Sequence, residues 1–199
     1  LTALLALNVS AEVIEAFRTV DKSLIKSNTN LETSNEGLFK SLAAKVSEAG
    51  VDKVKLAKWT AHAGTAKKLS DDLNVYIEGL KKELKTASGL KIENGVEDFK
   101  MDDLNASSRL MDNEKKGKDL DDKLKAYRAA MLAIDPEREA EFKNTFPVEV
   151  DNTKDATTPS FRMMPTVAAV TLLSKFQNNV KNGENQIVAA CHSKIGQVK

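Results

Sequence analysis

Two histidines, one cysteine and three adjacent acid pairs are the side chains in this sequence with chemistry to offer. Neither His62 nor His192 has a second ligand three or four residues away, the spacing that sets two metal ligands on one helical face. Asp71-Asp72, Asp102-Asp103 and Asp121-Asp122 are neighbours in sequence, and on a helix neighbours diverge by about 100°, so no such pair can serve one substrate as acid and base. They read as solvated faces. Lys115-Lys116-Gly117-Lys118 could meet a phosphate, but no glycine-rich loop follows a strand there, and surface charge is the plainer reading. Cys191 allows no intrachain disulfide and reads as a small buried hydrophobe, the other possibility being a pair across a dimer axis. Met163-Met164 before Pro165 reads as filler for a core gap. A nucleophile elbow, a Cys/His dyad and a nucleotide fingerprint are all missing. The expectation is a protein that is not an enzyme, with no catalytic residues, no cofactor and no metal.

Composition points the same way. The 30 basic and 29 acidic residues nearly cancel, which argues against nucleic acid, since that partner demands a basic face. No convergent set of polar groups marks a small-molecule substrate. Charged residues make up 30% of the chain and aromatics 5%, a mix that suits long solvated helices better than sheets.

The elements that would position any site begin with an anomaly. Leu1-Thr2-Ala3-Leu4-Leu5-Ala6-Leu7 is apolar, and no charge occurs before Glu12. A helix from Leu1 to Val9 rises only about 13 Å against a hydrocarbon core of ~30 Å, so the run cannot span a bilayer alone. The chain also lacks an initiator Met and a cleavable signal peptide. We read residues 1–11 as the C-terminal part of a transmembrane helix and 12–199 as a helical domain beyond it. Val9, Val13, Phe17, Val20 and Leu24 then continue one helical face without Pro or Gly, so that membrane run and stripe form one rod.

Apolar periodicity predicts helices over about 9–49, 52–88, 106–134 and 165–195, with a loop at 90–105 and a long connection at 135–164. Gly50, Gly89 and Gly196 fit helix ends, Asp135-Pro136-Glu137 fits a helix start, and Gly117 and Gly183 weaken helix interiors. One apolar face per helix favours an all-α fold, an elongated four-helix-type bundle with antiparallel packing, continuous with the membrane helix. A connection as long as 135–164 usually has a functional reason.

Two stretches then matter together. Ala6–Leu24 reads ALNVSAEVIEAFRTVDKSL, and Met164–Ile187 reads MPTVAAVTLLSKFQNNVKNGENQI. Both resemble GldM and its relative PorM, of the gliding-motility and type IX secretion machinery. Where that family often has a Trp shortly before the fourth helix, this chain has Ser160 and Phe161. The resemblance implies a single-pass inner-membrane homodimer with its bulk in the periplasm. It implies a GldL/PorL-like membrane ring around the two membrane helices, converting proton-motive force into rotation. It further implies β-rich domains, outside this chain, that reach outer-membrane-associated GldK/GldN-like components. By position, Leu1, Leu4, Leu5 and Leu7 would contact ring or lipid, and Asn8 and Ser10 would lie at the membrane boundary. Val9, Val13, Phe17, Val20 and Leu24 would form the dimer or bundle stripe at the membrane exit.

The competing expectation is a periplasmic four-helix sensory domain of a chemoreceptor-like protein. Such a sensor needs a second span of about 20 apolar residues, and none precedes Lys199. A soluble coiled-coil scaffold is the remaining alternative.

Overall fold

The computed structural model describes residues 9–140, 142 and 161–196. The described residues are 81% helical and nearly all-α. Helix α1 spans Ala11–Ala44, α2 Lys53–Ala87, α3 Lys116–Ile134 and α4 Thr166–Gly196. Among the described residues no helix is long and apolar enough to cross a membrane. Leu1, Leu4, Leu5, Leu7 and Asn8 lie outside the described residues.

Local chemistry sets the helix ends. Ser10 caps α1, accepting a hydrogen bond from the Val13 amide at 3.3 Å. Asp52 caps α2 by accepting from the amides of Val54 and Lys55 at 2.9 and 3.1 Å. At the other end of α2, Gly89 takes φ +81°, and the amides of Gly89 and Leu90 donate back to the carbonyls of Thr86 and Lys85. That is a Schellman closure, which only a residue tolerant of positive φ can form cheaply.

Two expectations are corrected between α2 and α3. Residues 90–105 are not loop throughout: β1 (Lys91–Glu93) and β2 (Val96–Asp98) pair antiparallel, with Lys91 opposite Asp98. Asn94 and Gly95 both have positive φ, the type I′ geometry that Asn-Gly favours. Nor is 106–134 one helix. An α-turn at Asn105–Ser107 opens into a π-helical stretch, Ser108–Asn113, and Lys115 at φ +59° separates it from α3. The weak point flagged at Gly117 thus falls inside α3, and the break lies just before it.

The described residues divide into two compact units. Unit 1 takes 9–25, 76–122 and 161–176, and unit 2 takes 26–75, 123–140 with Phe142, and 177–196. The core of unit 1 includes Ile77, Leu84, Met111, Leu120, Phe161 and Leu173, all below 2% exposed. That of unit 2 includes Leu42, Leu124, Met131, Phe142 and Ile187. Phe161 is thus a buried core side chain beside the start of α4, at 1% exposure.

Helix direction departs from the antiparallel expectation. In unit 1, Thr171 meets Phe17 and Ser174 meets Asp21. In unit 2, Asn178, Asn185 and His192 meet Asn28, Asn35 and Ser41. Partner numbers rise together, so α4 runs parallel to α1 within each unit. It also runs parallel to α3 in unit 2, where Tyr127 bonds the Val180 carbonyl and Glu137 meets Lys194. An apolar stripe marks a face but not a direction, which is why periodicity gave no warning. Parallel neighbours consecutive in the chain require a long return connection, and 135–164 supplies the residues for one.

Replacing Leu124, fully buried, with Ala is expected to lower the unfolding free energy by about 2–5 kcal/mol. Val75→Ala, at a position 72% exposed, is expected to stay within about 0.5 kcal/mol of the parent in the same urea titration.

Candidate functional site: a buried acid in a polar seam

Helix α4 is buried around most of its circumference. Its polar residues must therefore find partners on neighbouring helices, because an unpaired buried polar group costs about 1–3 kcal/mol. In unit 2 those partners come from α1. Asn178 donates to Asn28 Oδ1 at 3.0 Å and to Ser27 Oγ at 2.9 Å. Asn35, 1% exposed, donates to the Lys181 carbonyl at 3.1 Å and accepts from Asn185 at 2.8 Å. Lys181 forms an ion pair with Glu32, and Ser41 Oγ lies 2.8 Å from His192 Nε2. Unit 1 uses the same device, with Ser174 donating to Asp21 at 2.5 Å and Thr171 to the Phe17 carbonyl at 3.2 Å.

The residues of α1 behind these bonds share one heptad face: Phe17, Asp21, Leu24, Asn28, Leu31, Asn35, Leu38 and Leu42. On α4 the matching face is Thr171, Ser174, Asn178, Lys181, Asn185, Val188 and His192. Apolar and polar layers alternate along the α1 face from Phe17 to Leu38, and the α4 face opposite is mostly polar. A buried amide pair fixes register because a slip by one turn leaves both amides without partners.

Within unit 2 one member of α4 stands out. Glu184 is 1% exposed, on the same side as Val180 and Ile187, which are wholly buried. Neither carboxylate oxygen has a hydrogen-bond partner among the described residues. Burial pushes its pKa up to about 7 and Asp71 pushes the same way, while Lys67, Lys181 and the Asn35 amide pull it down. Both lysines are already engaged, Lys67 with Asp71 at 2.8 Å and Lys181 with Glu32. Lys67 is held above the usual lysine range by its bond to Asp71, whereas burial lowers Lys181. Across the unit Tyr127 donates to the Val180 carbonyl at 3.0 Å and sits 2.7 Å from the Ser70 hydroxyl. Burial raises its pKa and the nearby Glu184 adds to that.

Residues singled out by sequence fall apart in space. Of the membrane-exit stripe, Phe17 and Leu24 turn partly inward, Val9 is half-buried, and Val13 and Val20 are 44% and 49% exposed. Ser10, assigned to the membrane boundary, caps α1. His62 lies against Trp59, ring centroids 5.3 Å apart. Cys191 is fully buried, and burial pushes its thiol up to about 11, far from a reactive thiolate. The solvated reading of the acid pairs is corrected at Asp121, which is 0% exposed. Asp71 and Asp72 pair one turn back with Lys67 and Lys68. Lys116 and Lys118 of the basic run pair with Glu83 and Asp122. Among the described residues no three His, Cys, Asp or Glu side chains cluster as a metal site. An open groove of about 710 Å³ in unit 1, lined by Lys82, Thr86 and Arg109 among others, adds no buried polar group.

Sequence reasoning missed Glu184, Asn28 and Asn35. A signal existed: each occupies an apolar-spaced position flanked by Val, Leu or Ile at helical intervals. Removing the Asn35 amide (Asn35→Ala) strands the Lys181 carbonyl and the Asn185 amide, so a loss of about 1–3 kcal/mol of stability is expected by chemical denaturation.

No curated protein matches this chain. The family model for the GldM N-terminal domain matches residues 12–194, a span that takes in α1 from Glu12, α2 and α3 whole, and α4 up to Lys194. By that match the chain belongs to the GldM family of gliding-motility and type IX secretion components, as its N-terminal domain.

Proposed function

We propose that this chain is the helical domain of an inner-membrane, single-pass motor component. With a GldL/PorL-like ring it converts proton-motive force into rotation, and it transmits torque across the periplasm for type IX secretion and gliding. It works as a homodimer and reaches GldK/GldN-like outer-membrane components through domains outside this chain. Its role is mechanical, with no bond made or broken.

The observation that supports this reading is the character of α1. It runs unbroken for 34 residues, about 50 Å, and has no Pro. Its inner face is bonded to α4 at Phe17, Asp21, Asn28 and Asn35. A helix gripped every one to two turns resists twisting out of register, as a shaft must. In its first turns Val13 and Val20, seven residues apart, remain exposed. That spacing is the seam of a two-stranded coiled coil, so a second copy of α1 would fit there. The two stripes would then lie in the first turns of α1, just beyond its Ser10 cap and next to the membrane root read in residues 1–11.

Inserting Gly-Pro after Val13 is expected to leave the helical domain folded by circular dichroism yet stop both gliding and secretion. Normal motility in cells with that insertion would sink the torque-shaft reading. Val20→Cys is expected to give a disulfide-linked dimer in membranes under mild oxidation, whereas cysteine at Lys68, exposed on α2, gives none.

A further inference from the structure

We propose that Glu184 is a proton-binding site of the folded domain, protonated where α1, α2 and α4 are fully joined in unit 2, and that its ionisation loosens that joint. The inference rests on unit 2 alone and does not depend on the motor reading.

The geometry gives an ionised Glu184 less support than burial takes from it. It is 1% exposed and neither oxygen meets a donor among the described residues. The charged groups facing it are few. From α2 come Lys67 and Asp71, from α4 itself Lys181, and from α3 the neutral phenol of Tyr127. From α1 come the Asn35 amide, Glu32 as partner of Lys181, and Glu36 near Lys67. With Glu184 charged, its acid joins Glu32, Glu36 and Asp71 against only two lysines. Compensation would draw Lys67 away from Asp71 or Lys181 away from Glu32, or divide either ammonium between two carboxylates. The second move releases an ion pair that ties α4 to α1 directly. The Asn35 amide spends one N–H on the Lys181 carbonyl, and its second N–H favours the charged form less than burial opposes it. Protonated, the carboxyl is neutral and leaves both ion pairs and the amide ladder in place. The balance is one proton, taken from or returned to solvent.

A group whose folded pKa is raised contributes stability at low pH that is lost as pH rises from the unfolded value toward the folded one. With a reference value of 4.5 and a folded value near 7, the loss falls between those limits and levels off above. The folding equilibrium constant of the full chain should therefore fall about tenfold per pH unit across that interval through this one group. Urea titrations at a series of pH values, comparing parent with Glu184→Gln, isolate the effect. The difference between the two is expected to show the one-proton slope, and Asp71→Asn is expected to keep it. A slope retained in Glu184→Gln, or removed by Asp71→Asn instead, overturns the assignment. Should Glu184→Gln fail to fold, the side-chain carboxyl ¹³C resonance of Glu184 in the parent decides: titration near neutrality supports the site, and titration in the ordinary carboxylate range ends it. Amide-exchange protection at Leu31–Leu42 is expected to drop several-fold above the transition in the parent but not in Glu184→Gln, and equal protection in the parent on both sides of it overturns the loosening.

Discussion

The Asn35 amide, bonded at once to the Lys181 carbonyl and to Asn185, fixes how α1 and α4 lie together in unit 2. Apolar side chains such as Leu31, Leu38 and Leu42 supply the attraction, but they would tolerate a shift along the helix axis. The amide pairs would not, because each shift strands donors and acceptors in a place water does not reach. The same logic places Asn28 against Asn178, and Asp21 against Ser174 in unit 1. Helices that share this alternation of greasy and polar layers have one register, and one register is what a mechanical element requires.

A seam built this way also makes room for charge. Once α4 is enclosed by neighbours, any ionisable residue on it must be paired or neutral. Lys181 is paired with Glu32. Glu184 is left to resolve its position by its protonation state. Tyr127, held by Ser70 and the Val180 carbonyl, closes the opposite side with a hydroxyl that stays protonated.

Much of the fold could be read from the sequence, for identifiable reasons. Gly89 and Asp52 announce helix ends because positive φ and side-chain capping are local properties, visible in a few residues. Long apolar periodicity announced the four main helices for the same reason. The β1–β2 hairpin escaped because strands of three residues are too short to show alternation, although Asn94-Gly95 marked the turn. The π-helical stretch before Lys115 escaped because its cause is tertiary. Ser108 there is held by the Met163 amide and Ser107 by the Met164 carbonyl, over 50 residues away. Family membership was legible in the segments around α1 and the start of α4. The site was only half legible: Glu184 sits at an apolar-spaced position between Val180 and Ile187, but nothing local says that this face of α4 is enclosed. Helix direction was hidden too, as nothing in a stripe says which way its partner runs.

The bonds joining α1 to α4 link residues 146 to 154 positions apart. During synthesis the first helix therefore emerges with its bonding face bare and waits for the 146 to 154 residues that separate it from its partner. Its inward asparagines are tolerable in that interval because water can satisfy them, whereas a purely aliphatic face would be adhesive toward other nascent chains. The polar layers that later enforce register thus also protect the half-made protein, and such distant pairing makes the closing step the slow one.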